Sequence, residues 1–142
     1  MSKFWVILSR ITYASALSLM LVTLFWLIYP YRIIDVESPL PTSSNVVNRE
    51  QVLVSTMTYT KYTDLRPTNV TKSIICEDGN LVTLAAGNGN GLPQGTRTLE
   101  VETVVPAKTS KSICAVHWRV EFKPNPIRVI TVWFQTEPFV VI

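Results

Sequence analysis

The sequence predicts a mainly β protein: one membrane-spanning helix near the N-terminus, then an antiparallel β-sandwich of two sheets. Three observations carry that prediction. From Ile11 to Tyr31 the chain holds no charged residue. From Gln51 onward, stretches rich in β-branched and aromatic residues recur at short spacing, broken by Pro, Gly and Asn. Between those stretches there is no helical period. The chain divides accordingly into a cytoplasmic tip and anchor (1–31), a Pro/Ser-rich tether (32–50) and a β-domain (51–142).

The anchor reads ITYASALSLMLVTLFWLIYPY. A helix of this length reaches roughly 30 Å, the thickness of a bilayer's hydrocarbon core. Inside lipid each backbone N–H must find its partner within the segment, which demands a helix. The polar residues Thr12, Ser15, Ser18 and Thr23 are small hydroxyls that can bond back to the preceding turn. A cleaved signal peptide is the competing interpretation. Ala14-Ser15-Ala16 resembles a cleavage site but precedes most of the apolar run, and Ser38, Pro39 and Pro41 offer none, so a retained anchor is expected. Phe4, Trp5 and Tyr13 on one side, and Trp26, Tyr29 and Tyr31 on the other, are candidates for the membrane interfaces, and Pro30 marks the helix end. Lys3 and Arg10 before the span, against Arg32 after it, favour a cytoplasmic N-terminus.

The net charge of +3 invites a nucleic-acid reading. Lys3 and Arg10 account for two of the 13 basic residues, so beyond the anchor the excess over the 10 acidic ones nearly vanishes. The remaining charges are interspersed, without the concentrated basic surface that nucleic acid requires. Pro39 and Pro41 with Thr42, Ser43, Ser44 and Asn45 read as a stiff tether, with Val46 and Val47 apolar enough to add an edge strand.

The strands follow in order. Gln51–Thr63 holds no Gly or Pro, and Leu65–Asn69 breaks it. Val70–Cys76, the turn Asp78-Gly79 and Leu81–Ala86 form a hairpin, since Asp-Gly takes the positive φ values that tight turns need. In Thr96–Val105, Leu99, Val101 and Val105 face one way, Glu100 and Glu102 the other. Alternation is clearest in Ser112–Lys123. There Cys114, Val116, Trp118, Val120 and Phe122 should face the core, and Ala115, His117, Arg119 and Glu121 the opposite side. Pro124-Asn125-Pro126 turns the chain into Ile127–Thr136, which is apolar on both faces and so is expected to be central or covered.

Cys76 and Cys114 lie in separate expected strands and are a disulfide candidate across the domain in an oxidising compartment. Closing a loop of about 39 residues would stabilise by roughly 4 kcal/mol on the chain-entropy estimate. Little else points to chemistry. His117 is the only histidine, so no multi-histidine metal site is expected, and two cysteines without further ligands make no zinc site. The glycines of Gly87–Gly95 lead into a strand, not into the helix that a phosphate loop opens. Asp64, Asp78, Glu100 and Glu102 form no pair at catalytic spacing. The expectation is no catalytic residue, no metal, no cofactor and no small-molecule substrate. The binding-loop candidates are Asn88, Asn90 and Gln94 in one loop and Lys108 and Lys111 in another, placed at one end of the sandwich.

A cysteine pair and a tryptophan in an inner strand resemble an immunoglobulin-like sandwich in architecture. The family's spacing is absent: Trp118 follows the second cysteine, and Ser112 stands where its tyrosine would. The run FKPNPIRVITVWFQTEPFVV (Phe122–Val141), with Leu92-Pro93-Gln94-Gly95 upstream, is similar to small single-span membrane proteins of tailed bacteriophages. The likeness extends loosely over Pro39–Ile142. It implies a bacterial inner-membrane location with a periplasmic domain, and carries no functional residues with it. Two functions are thus expected: a membrane-anchored, non-catalytic module contacting an unidentified envelope or phage protein, or a structural subunit of a membrane complex or virion. The second rests on the apolar strand Ile127–Phe134 and the apolar tail Phe139–Ile142, which could extend a neighbour's sheet.

Overall fold

The computed structural model describes residues 3–84 and 91–142. The apolar run forms one helix, α1 (Lys3–Ile28), which starts before Ile11 and takes in Lys3 and Arg10. None of its residues is buried, and it is long and apolar enough to cross a membrane, a property that signal sequences share. Its hydroxyls bond back along the helix, Thr12 Oγ1 donating to the Leu8 carbonyl at 3.0 Å and Thr23 Oγ1 to that of Leu19 at 2.8 Å. In this way they need no partner from outside. Pro30, which cannot continue a helix, lies just past its end.

The rest is mainly β. In chain order the strands are β1 (Ile34–Val36), β2 (Val46–Val47), β3 (Val52–Lys61), β4 (Asn69–Cys76), β5 (Leu81–Leu84), β6 (Gly95–Val104), β7 (Ile113–Asn125), β8 (Arg128–Gln135) and β9 (Phe139–Val141). A smaller sheet has the order β1-β3-β6, all antiparallel. The larger runs β2-β9-β7-β4-β5, with a parallel β2–β9 pair and with β8 also on β7. Leu53, Met57 and Tyr59 from the first sheet and Ile74, Val116 and Trp118 from the second share one core. The expected alternation in β7 holds: Cys114, Val116, Trp118 and Phe122 are buried, Val120 is half-buried, and the intervening residues face outward. Asp78-Gly79 turns β4 into β5, with Gly79 at φ +87°, where a side chain would be strained by backbone conformation alone.

Four expectations need correction. Residues 32–50 are not a spacer. Leu40 and Val47 are core residues, β1 pairs with β3, β2 pairs with β9, and Leu40 and Thr42 bridge to Thr136 and Ser55. The Cys76–Cys114 disulfide exists, but it joins directly opposed residues of neighbouring strands β4 and β7, with Cα atoms 4.0 Å apart, and does not span the sheets. The apolar strand β8 is not central: it pairs with β7 alone, and Val129 and Trp133 are exposed. The tail is used within the chain, since Phe139 and Val141 are buried and β9 lies between β2 and β7.

Candidate functional site

The β-unit has two distinct ends. One carries the disulfide, the β4–β5 turn and the loop 105–112. The other meets α1, and there the geometry is unusual. The last carbonyls of a helix lack intrahelical partners. Here the β7–β8 turn supplies them: Asn125 Nδ2 donates to the Trp26 carbonyl at 3.1 Å, and Arg128 Nη1 donates to those of Leu27, at 3.1 Å, and Tyr29. The turn is shaped for this, because Asn125 Oδ1 accepts the Ile127 N–H at 3.2 Å between two prolines. The Arg128 charge also faces the negative end of the helix dipole and lies over the Tyr31 ring at 5.6 Å. Phe25, Tyr29 and Tyr31 pack in sequence with centroids 4.9 Å apart, the first pair tilted and the second edge-on. Beyond them Asp35 accepts from Arg32 at 2.6 Å and from the Tyr62 hydroxyl at 3.0 Å. The Arg32 bond, then the Tyr62 bond, holds the Asp35 carboxyl below its ordinary pKa, and the same hydrogen bond raises that of Tyr62.

Between the sheets on this side lies a cavity of about 220 Å³. Val36, Leu99 and Val101 line it from the smaller sheet and Trp118, Val120 and Phe134 from the larger, with Trp118 and Phe134 stacked at 5.2 Å. Its lining holds one ionisable side chain, Lys61, which follows Leu53, Ser55, Met57 and Tyr59 along the inner face of β3. Lys61 is only 4% exposed. Its ammonium donates to the Leu92 carbonyl at 2.8 Å, and among the described residues no carboxylate lies within salt-bridge distance. The undescribed stretch 85–90, Ala-Ala-Gly-Asn-Gly-Asn, contains no acid either. A second inward lysine, Lys72 on β4, donates to the Glu102 carbonyl at 3.1 Å and sits 5.3 Å from the Trp118 ring centroid. Burial pushes its pKa down.

The structure separates the residues singled out from sequence. Asn88 and Asn90 lie outside the described residues. Gln94 is at the helix end, its Nε2 donating to the Tyr62 carbonyl at 2.8 Å. Lys108 and Lys111 are exposed at the disulfide end, in a loop tied to the β4–β5 turn by the Ser110 hydroxyl, 3.0 Å from Asp78. Gln94 therefore lies at the opposite end from Lys108 and Lys111, because β6, which connects them, spans the domain. On α1, Trp5 packs edge-on against Phe4, while Tyr13 is two turns further along, about 12 Å at the helical rise, so the two lie at different heights on the helix. Trp26, Tyr29 and Tyr31 gather at the other end. Among the described residues no group of three His, Cys, Asp or Glu could hold a metal ion. His117 is half-buried on the outward face of β7, and burial pushes its pKa down.

One surface feature was not anticipated. Strand register places Val46, Val140 and Ile113 side by side across β2, β9 and β7, and Ile75 opposite Leu81 across β4 and β5. Ala115, two residues beyond Ile113 on the same face, pairs with Ile75 and closes the row. All five large side chains are exposed, Leu81 by 61% and Val46 by 50%. The signal in the sequence was the outward-facing phase of each strand, but only the strand order shows that the positions align.

No family model matches the chain, and no curated protein matches it. A solved structure of the Pseudomonas fluorescens alkylpurine DNA glycosylase AlkC, bound to DNA containing an abasic site analog, is similar over 73% of this chain and 30% of that one. The identity is 17% and the TM-score 0.37. A likeness that slight assigns neither fold nor activity.

Proposed function

We propose that the chain is a single-pass membrane protein that displays a non-catalytic β-sandwich binding module outside the cytoplasm, where it contacts another envelope or phage protein. The observation that carries the reading is the row Val46, Val140, Ile113, Ile75 and Leu81, a contiguous apolar strip on the outer face of the larger sheet. Contiguous exposed apolar surface of this kind marks protein contact sites. It lies at the end away from α1, beside Lys108 and Lys111, where a second protein can reach it. Lys3 and Arg10 support a cytoplasmic N-terminus, and the cystine supports an oxidising compartment such as the periplasm. The likeness to phage-encoded single-span proteins supports a bacterial inner membrane. Two facing sheets fit an immunoglobulin-like layer arrangement, although the within-sheet cystine and the parallel β2–β9 pair depart from that family.

A structural role in a membrane complex or virion has one observation in its favour, the outer edge of β8. From Arg128 to Phe134 this edge has no strand partner among the described residues and is free to extend a neighbour's sheet. In-membrane cross-linking of the full-length protein, followed by pull-down, tests both. Under the binding-module reading one envelope protein is captured, and Leu81→Asp with Ile113→Asp abolishes capture. Capture of a fixed set of co-encoded proteins that survives both changes, and is lost on placing Pro at Thr131, would replace it with the structural reading.

A further inference from the structure

We infer that the cavity between the sheets binds a single-chain anionic amphiphile, its apolar chain among Val101, Trp118, Val120 and Phe134 and its carboxylate or phosphate head on the Lys61 ammonium. This goes beyond the protein contact proposed above, uses the other end of the domain, and draws on the anchor only for a source of ligand.

An ammonium has three N–H donors, and Lys61 places one of them on the Leu92 carbonyl. Burying a cation without an anionic partner is costly, and such groups are ordinarily paired or replaced by apolar ones. Methionine would fill the position without that cost. The chain instead puts a charge at the wall of an apolar space between its sheets, with no carboxylate in reach among the described residues. An anion entering beside Lys61 gains a strong charge-assisted hydrogen bond in a region of low dielectric.

The space has the right character for the remainder of such a molecule. At about 220 Å³ it exceeds the apolar cavity of roughly 150 Å³ that admits benzene. Apart from Lys61 and the Leu92 carbonyl its walls are apolar, so water gains few partners along them. Its position also suits a ligand delivered from a lipid surface. Ile34, on its wall, follows α1 by six residues, and Phe122, also on its wall, precedes by three the Asn125 that caps α1. Lys61 pairs with Ile34 in the sheet, at this same end.

Photolabelling tests the proposal on the full-length protein in phosphatidylcholine vesicles, with a diazirine-bearing decanoate as probe and adducts mapped by mass spectrometry. The expected adducts fall on peptides containing Trp118–Phe122 and Phe134. Decanol and decyltrimethylammonium, which lack the anion, should not compete. Competition by decanoate alone assigns a free fatty acid, and competition by lysophosphatidate alone assigns a membrane lysolipid. Both outcomes support the anionic amphiphile, and competition by neither overturns it. Lys61→Met should lower labelling about tenfold or more, as loss of a charge-assisted hydrogen bond predicts, while Lys61→Arg retains it. Val101→Phe, which keeps Lys61 and fills the cavity, should abolish labelling and guards against a misfolded Lys61 variant. Labelling confined to α1, or unchanged in either folded variant, would overturn the inference. None of these readouts depends on capture of a protein partner, so the two proposals fail separately.

Discussion

At the disulfide end, Val47, Val105, Phe139 and Val141 are at most 4% exposed and fill the space between the sheets, and a covalent bond ties β4 to β7. At the helix end the same two sheets stand around a cavity, a lysine is buried without a counter-ion, and polar side chains reach across to cap a helix. The first end is arranged for stability and presents its apolar surplus outward. The second gives up packing and charge pairing for space and for a contact with α1. Close packing and open interior space are thus placed at different ends of one small fold, which local differences in side-chain cost should reveal.

The largest effect should come from pairing two phenylalanines of similar burial. Phe139→Ala, in the filled end, should cost about 4 kcal/mol. Phe122→Ala, whose ring already borders empty space, should cost about 3 kcal/mol, because fewer contacts are lost. Denaturant unfolding of the two variants measures the difference, and equal costs would break the contrast between the ends. Cys76→Ala with Cys114→Ala should follow at about 2–4 kcal/mol. Reducing agent should lower the melting temperature of the wild type and leave this double variant unchanged.

Much of this contrast was hidden in the sequence for identifiable reasons. The helix, the phase of β7, the Asp78-Gly79 turn and the two cysteines were legible because each depends on neighbours within a few residues. In residues 32–50, Pro39, Pro41 and the serines look like a spacer, and only Val46 and Val47 signal the strand they form. The partners of this stretch, such as Thr136 for Leu40, lie nearly a hundred positions away. Apolar residues on both faces of β8 imply a central or covered strand, yet Val129 and Trp133 are exposed. Trp133 carries the Arg119 guanidinium at 5.3 Å from its ring centroid. Lys61 was the missed signal that could have been found. Period two puts it on the face of Met57 and Tyr59, where a lysine is unexpected.

A smaller effect, opposite in sign, should mark the helix end. Lys61→Met removes an uncompensated buried charge and should raise stability by about 1 kcal/mol in ligand-free protein. A drop would mean that the Leu92 carbonyl alone satisfies the ammonium. Asn125→Ala should cost about 1 kcal/mol or less, because water can reach the freed Trp26 carbonyl. Its clearer readout is faster amide exchange in residues 29–33, with exchange around Cys76 unaffected.

The smallest effect concerns His117, which lies between the apolar row and the Arg119–Trp133 pair. Across the register it faces Ser73 on β4 and Gln135 on β8, so neither neighbouring strand sets a charge directly opposite it. Burial holds its folded-state pKa below the ordinary value of 6.5, so just under that pH the unfolded chain binds more protons than the folded one. The stability tied to this residue is therefore complete above pH 6.5 and is lost as pH falls from there through the folded-state value. Solvent screening at a half-exposed site keeps the loss small. The urea midpoint should decline slightly over that window in the wild type and stay flat in His117→Gln. A protein partner that covers the outer face would bury His117 further and steepen the decline. The same titration run on the captured complex thus reports whether the partner reaches past the apolar row to the middle of the sheet.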